Sequence, residues 1–150
     1  MVVMPATLES LWKKAIAFWG VAIHADSPQL LADAPALAFI DLRTRQVTVN
    51  GALLARQGIE DALEVILAHE LGHHLRYPHS LSTLARLELL EQEILPFKDY
   101  SLLNLFTDAL INLELGADPE LRRQLAKVFA SMPRKASDAS ADPGFFFYLT

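Results

Sequence analysis

Apolar residues near the start of the chain recur at steps of three and four, the spacing of one face of an α-helix. The stretch from Ala15 to Ile23 is also apolar enough to resemble the core of a signal peptide. Because the periodic pattern runs straight through this stretch, we expect a packed amphipathic helix and not a targeting segment. The residues of its apolar face are Leu8, Leu11, Trp12, Ala15, Ile16, Trp19, Ala22 and Ile23.

Two short apolar runs, LAFIDL and QVTVN, follow between residues 36 and 50, with a polar break at residues 43–45. Short runs of β-branched or aromatic residues around such a break predict a β-hairpin. The valines of QVTVN alternate with polar residues, so we expect one side of this strand to be buried and the other to face solvent. Residues 26–35 contain two prolines and are expected to form a connector.

Helical periodicity dominates the chain after Gly58, where proline and glycine residues divide it into four predicted helices. Their expected bounds are about 59–77, 81–95, 99–115 and 119–131. The whole pattern therefore predicts a mostly helical α+β domain, with a small β-hairpin or sheet packed beside the first of these four helices.

The composition changes after Met132, first to the linker-like PRKASDASADPG and then to the aromatic FFFYLT. We expect residues 1–132 to form one domain, since 150 residues with 52% hydrophobic composition suit a single core. Residues 133–150 are expected to be a linker and an aromatic terminal segment. That segment either folds back onto an apolar surface or begins a further region of a longer protein, and we favour the second interpretation.

Charge and cysteine content narrow the classes of partner. The net charge is -5 and the basic residues are scattered, so we expect no nucleic-acid partner. No apolar run approaches the roughly 18–20 residues needed to cross a bilayer, so we expect no membrane association. The absence of cysteine leaves His, Asp and Glu as metal ligands and fits a cytoplasmic location.

The HELGH segment, residues 69–73, lies in the first of the four later helices. His69 and His73 are four residues apart and share a helix face, so both imidazoles can bind one zinc ion. Glu70 lies about 100° around the helix from His69, where its carboxylate can act as a general base on a water molecule. This arrangement predicts zinc-dependent hydrolysis of peptide bonds. The alternative is a non-catalytic metal-binding or protein-interaction module, because HExxH also occurs by chance.

A catalytic zinc site needs a third protein ligand. Asp108 lies at the middle of a polar stripe with Asn104 and Asn112 on an otherwise apolar helix. A carboxylate in such surroundings is normally paired, so we expect Asp108 to be the third ligand. The alternatives are Glu114 on the same helix, Glu88, Glu91 or Glu93 on the preceding one, and His79.

Gly72 also calls for an explanation, since glycine in a helix interior costs about 1 kcal/mol relative to alanine. We expect either a neighbouring backbone or substrate close to it, or simply close helix packing. His74 is expected to form a hydrogen bond with a neighbouring element. As a functional role, His74, Tyr77 or His79 could stabilise an oxyanion, and the sequence does not choose among them.

HELGHH, followed about thirty-five residues later by an Asp-centred helix, resembles the zincin metallopeptidases and among them the gluzincins. The similarity covers roughly residues 36–115. QVTVN before HELGHH, with the later N-x-x-x-D-x-x-I-N pattern, further resembles the predicted metallopeptidases that precede von Willebrand A-like domains. The resemblance implies a zincin-like fold, a peptide or protein substrate, a C-terminal partner domain, and Zn²⁺ bound by His69, His73 and Asp108. Typical gluzincins carry Glu where this chain has Asp108.

Overall fold

The computed structural model describes residues 5–20, 26–96 and 101–132. Within these ranges the chain forms six α-helices, one short 3-10 helix and a three-stranded sheet. In chain order the elements are α1 (Pro5–Phe18), β1 (Gln29–Leu31), β2 (Ala38–Asp41), β3 (Gln46–Asn50), α2 (Gly51–Gln57), the 3-10 helix (Glu60–Ala62), α3 (Leu63–Leu75), α4 (Leu81–Ile94), α5 (Leu102–Leu115) and α6 (Pro119–Ser131). The mostly helical α+β fold is the one predicted.

The sheet has the order β1-β3-β2, with β3 in the centre. β2 and β3 form the predicted antiparallel hairpin, in which Ala38 pairs with Val49. β1 pairs with β3 in parallel, and Gln29 lies opposite Thr48. The prediction of a plain connector was therefore wrong for β1, a strand of three residues that is too short to show a period. β2 forms one edge of the sheet, next to α3.

Both sides of β3 are buried, contrary to the expected solvent-facing side. Val47 and Val49 have no exposed surface, and Thr48 and Asn50 are only 6% and 7% exposed. Asn50 tolerates burial because its amide has two partners: its nitrogen donates to the Ala34 carbonyl at 2.8 Å, and its Oδ1 accepts from the Leu53 N–H at 2.8 Å. The second of these bonds caps the start of α2.

The helix predicted at about 59–77 is shorter in the structure, where α3 covers Leu63–Leu75 and a 3-10 turn precedes it. α2, which was not predicted, ends at Gly58 in the left-handed conformation (φ 65°) that glycine adopts without strain. The 3-10 turn then leads into α3, which is the centre of the core and contributes seven buried residues. α1 packs against α3, where the Trp19 indole N–H donates to the Ala68 carbonyl at 2.9 Å.

The last three helices match their predictions and begin at side-chain caps. Ser80, Ser101 and Asp118 accept hydrogen bonds from backbone N–H groups in the first turns of α4, α5 and α6. α5 begins at Leu102, later than predicted.

The predicted apolar positions Ala22 and Ile23 and the segment 133–150 lie outside the described residues. Among the described helices, none is long and apolar enough to cross a membrane.

Gly72 lies at a close contact of α3 with α5 and with the residue that follows α1. A Cβ at this position would lie 2.8 Å from Cγ2 of Ile111 on α5 and 3.0 Å from Cζ2 of Trp19 after α1. Real Cβ atoms do not approach other carbon atoms this closely, so only glycine lets α3 lie so near both neighbours. Close helix packing is the explanation that the structure supports, since side chains and not a backbone surround this glycine.

We predict that Gly72→Ala destabilises the fold. Overpacking typically costs 1–3 kcal/mol and the helix preference of alanine returns about 1, so we expect a net loss of up to about 2 kcal/mol in the free energy of unfolding. Denaturant titration measures it. Gly51→Ala is the matched control, because the nearest atoms to a Cβ there are 3.9 Å away. Equal stabilities of the two variants would contradict the packing argument.

Candidate metal centre

Three side chains from two helices meet beside the sheet. His69 and His73 lie one turn apart on α3, and Asp108 faces them from α5. Oδ1 of Asp108 is 3.5 Å from Nε2 of His69 and 3.0 Å from Nε2 of His73. The three side chains are between 14% and 19% exposed. Within the described ranges, this is the one group of three His, Asp or Glu residues close enough to hold a metal ion.

These distances fit a zinc ion. Ligand atoms 2.0–2.1 Å from zinc at tetrahedral angles are about 3.3 Å from one another. The two measured separations from Asp108 Oδ1, 3.0 and 3.5 Å, lie on either side of that value. Two imidazole nitrogens and one carboxylate oxygen are also a donor set suited to zinc. The residues present therefore fit the metal.

The outer ring nitrogens hold the imidazoles in place. Nδ1 of His69 lies 2.8 Å from Oδ1 of Asn112, one turn after Asp108 on α5. Nδ1 of His73 lies 2.9 Å from the carbonyl oxygen of Tyr77. Since a carbonyl oxygen can only accept, each Nδ1 carries the proton and donates. With a metal bound, each Nε2 would lose any proton it shares with Asp108 and direct its lone pair at the shared centre, which is the tautomer a metal ligand requires.

The side chain of Glu70 lies beside the cluster at the β2 edge, close to the backbone N–H of Ile40. Burial raises the pKa of Glu70 above its ordinary value, against the lowering effect of His69 and His73. A raised pKa makes the carboxylate more basic, which is the property a proton acceptor needs.

His69 and Asp108 favour each other's charged forms. Burial alone would lower the pKa of His69, but Asp108, Glu70 and Asn112 together raise it. Burial alone would raise the pKa of Asp108, but the hydrogen bonds from His69 and His73 outweigh it and hold this pKa far below its ordinary value. In the absence of metal, an ionised Asp108 and a protonated His69 therefore stabilise each other.

Two cavities meet at the cluster, and His69, Glu70 and Asp108 line both. The smaller, of about 150 Å³, is walled mainly by apolar side chains from α3, α6 and the start of β2. The larger, of about 480 Å³, is open and more polar, and it extends along β2 towards α4 and the first turns of α5. Glu70 therefore lies where the two cavities meet, together with His69 and Asp108.

The alternative ligands lie elsewhere. Glu114 accepts from the Tyr77 hydroxyl at 3.1 Å, and Glu91 accepts from the Leu103 N–H at 2.8 Å, beside the start of α5. Glu88 lines the larger cavity without joining the cluster. Glu93 and His79 are exposed and also lie outside it.

None of the three residues considered for oxyanion stabilisation lines either cavity. Tyr77 is directed to Glu114, and Nδ1 of His79 lies 2.9 Å from the Pro78 carbonyl oxygen. Burial, with Arg45 and His79 nearby, lowers the pKa of His74. The hydrogen bond expected for His74 stays a prediction.

A family model described as Peptidase family M48 matches residues 6–137. The chain belongs to peptidase family M48. Membership places it among the zincin-type metallopeptidases, whose reaction is metal-dependent proteolysis. The match spans α1 to α6, so all three residues of the cluster, His69, His73 and Asp108, lie within the M48 domain. Comparisons with curated proteins and with solved structures give no match.

Sequence reasoning missed several contributors to this M48 site. The spacing of Asn112 from Asp108 placed both on one stripe, yet it did not reveal that Asn112 meets His69. The Tyr77 carbonyl could not be identified from the sequence, because a backbone group leaves no mark in the pattern of side chains. The apolar wall contributed by Val128, Phe129 and Met132 could not be inferred either, because α6 reaches the site only through tertiary packing.

Asn112→Leu is predicted to weaken metal binding. The change keeps the approximate volume but removes the acceptor that orients His69, and loss of such a partner typically costs 10–100-fold in metal affinity. Competition with a fluorescent zinc chelator measures the change. Asn104→Leu is the matched control on the same helix, since Asn104 lines the larger cavity without contacting a histidine. Unchanged affinity in Asn112→Leu would show that the hydrogen bond does not matter.

The stability of the metal-free protein is predicted to fall as pH rises from about 5 to about 8. A His69 pKa raised in the fold stabilises below the unfolded value of 6.5, and this contribution is lost as pH rises through the folded pKa. A raised Glu70 pKa acts in the same direction above 4.5, whereas the lowered pKa of the partly exposed His74 opposes this trend. The lowered pKa of Asp108 contributes stability that disappears only below 3.8. Chemical denaturation with a chelator present at a series of pH values measures the trend.

Saturating zinc should reverse this trend, because metal ligands bind in their deprotonated forms. A metal-free protein whose stability rises between pH 5 and 8 would contradict the pairing of His69 with Asp108.

Proposed function

We propose that the protein hydrolyses peptide bonds with a zinc ion bound by His69, His73 and Asp108, and with Glu70 as the general base. The observation that carries this proposal is the position of Glu70. Its carboxylate lies beside the three donor groups, lines both cavities, and has a raised pKa. A purely structural metal site has no use for a basic carboxylate at the junction of two open cavities.

The residues around the metal have separate roles in this mechanism. Bound zinc would polarise the scissile carbonyl and lower the pKa of a water molecule to about 7. Glu70 accepts the proton of the attacking water and then donates it to the nitrogen of the leaving amine. Asn112 and the Tyr77 carbonyl keep the two imidazoles aligned while charge develops at the centre.

The edge of β2 offers a place for the substrate backbone. The Leu37 carbonyl accepts from the Asn50 N–H at 2.9 Å, so its polar group faces β3. Backbone groups alternate along a strand, and those of Ala38 and Ile40 therefore face the open edge, consistent with the Ile40 N–H reaching Glu70. An extended peptide can add to this edge as a further strand. Its scissile bond then lies over Glu70.

The substrate, the partners, the location and the domain boundary stay predictions. We propose a peptide or protein substrate, no nucleic-acid or membrane partner, and a cytoplasmic location. The resemblance to metallopeptidases that precede von Willebrand A-like domains supports a C-terminal partner domain, with the domain boundary at residue 132. Expression of the domain with and without the residues after 132 tests that boundary.

We predict that Glu70→Gln binds zinc normally but loses peptidase activity by at least about 10²–10⁴-fold, the usual contribution of a general base. Zinc content is measured by atomic absorption, and activity is measured by mass spectrometry of a digested peptide library. Glu64→Gln is the matched control, because Glu64 lies on the same helix outside both cavities. Full activity in Glu70→Gln would exclude the proposed mechanism.

The same assays test the third ligand. Asp108→Ala should lose both zinc and activity, whereas Glu114→Gln on the same helix should retain both. Full zinc affinity in Asp108→Ala would refute this assignment. A wild-type protein that binds one zinc ion but cleaves no library peptide would instead favour a non-catalytic metal-binding module.

A further inference from the structure

Large apolar side chains are left exposed mainly on α4, on α5 and just after α4. Among the described residues eleven large apolar side chains are exposed, and eight of them lie between residues 81 and 113. α4 contributes no buried residue to the core and packs against α5. Monomeric proteins rarely gather exposed apolar residues in this way, so such a surface marks an interaction site. The eight are Leu81, Leu89, Leu90, Ile94, Leu95, Leu102, Phe106 and Leu113.

Five of these side chains form one face on the side of the α4–α5 hairpin that is turned away from the metal cluster. Leu90 lies about 160° around α4 from Glu88, which lines the larger cavity. Phe106 likewise lies about 160° around α5 from Asp108. The end of α4 is held beside the start of α5, where Glu91 accepts from a backbone N–H at 2.8 Å. We call this surface the outer face, and its residues are Leu90, Ile94, Leu102, Phe106 and Leu113.

A pair of opposite charges borders the outer face on α4. Arg86 and Glu93 are seven residues apart, so they lie about 20° apart around the helix, on the edge beside Leu90. Both are exposed, and neither forms an ion pair within the ranges that the structure describes. The other acids of α4 are turned elsewhere, Glu88 to the larger cavity and Glu91 to α5. One positive and one negative charge along this edge are therefore left for a partner to pair.

These charges match a second copy of the same helix. When two identical helices cross antiparallel about a two-fold axis, residues equally far from the crossing point on opposite sides meet each other. A crossing between Leu89 and Leu90 places Arg86 of each copy opposite Glu93 of the other, because the two residues are equally far from that point. The two ion pairs are reciprocal, as a symmetric dimer requires.

We propose that the protein is a homodimer in which the outer faces of two copies pack together as a four-helix bundle. Leu90 and Phe106 lie at the centre of the contact, and the pairs of Arg86 with Glu93 fix its antiparallel register. No residue of the outer face lines either cavity, so the contact leaves the metal cluster of each copy open. The dimer does not depend on the proposed peptidase reaction.

Sedimentation velocity at a series of protein concentrations tests the dimer in the full chain of 150 residues. Two helices of 14 residues side by side form a face of roughly 20 Å by 20 Å, near the lower limit of dimer interfaces. We therefore expect reversible dimerisation with a dissociation constant in the micromolar range. Leu90→Ser and Phe106→Ser replace exposed side chains and should each weaken it by at least about tenfold. A wild type that is monomeric up to about 1 mM, or a dimer that neither substitution weakens, would overturn the proposal.

Charge reversal at low ionic strength tests the symmetry of the contact. Arg86→Glu and Glu93→Arg each place like charges opposite each other in both pairs, and each should raise the dissociation constant about tenfold. The double variant restores both pairs and should return the constant to its wild-type value. Arg122→Glu, at an exposed position of α6, changes the net charge as Arg86→Glu does and is the control. A double variant as weak as the single variants would refute the self-complementary edge on which the proposal rests.

The aromatic terminal segment is the main alternative occupant of the outer face. A full chain carrying Phe145→Ser, Phe146→Ser and Phe147→Ser together separates the possibilities, and it should dimerise as the wild type does. Dimerisation of this variant alone would assign the outer face of the wild type to its own terminal segment. Dimerisation of the wild type alone would show that the terminal segments join the copies. Either result would overturn the proposal.

Discussion

The close approach of α3 and α5 is the constraint on which the site depends. At Gly72 the two helices are separated by no more than the Ile111 side chain, and this contact lies one residue before His73 and one before Asn112 in sequence. A wider helix separation would move Asp108 away from the Nε2 atoms and Asn112 away from His69. The glycine therefore determines the geometry of the cluster of His69, His73 and Asp108, although it carries no functional group. It also explains why a helix-weakening residue lies within HELGH.

The close approach of α3 and α5 also brings the charged groups of the site together. Asp108 and Glu70 are two carboxylates in one partly buried site, and His69 and His73 offset the cost of holding them there. The surroundings act differently on the two acids, since the pKa of Asp108 is lowered and that of Glu70 is raised. This difference suits two roles, one as a permanently ionised donor and one as an exchanging proton carrier.

Local patterns predicted what depends on local spacing. The helical spacing of His69 and His73, the hairpin and the capped later helices were visible in the sequence. Strand β1 and helix α2 were not, because a three-residue strand that pairs in parallel and a seven-residue helix leave little periodic signal. The meeting of Asp108 with α3 depends on tertiary packing, so the sequence offered it only as one choice among several acids. Its role as a ligand remains a prediction, although the geometry suits it.

Helix α6 forms part of the wall of the smaller cavity but contributes no residue to the cluster of His69, His73 and Asp108. The cluster and this part of the cavity wall thereby lie on separate segments, joined by packing and by a hydrogen bond from the Val65 N–H to the Gln124 side chain. Substitutions at Val128 or Phe129 can therefore change the shape of the smaller cavity while His69, His73 and Asp108 stay in place on α3 and α5. A domain built this way can vary the cavity beside the cluster through one helix and leave the cluster itself unchanged.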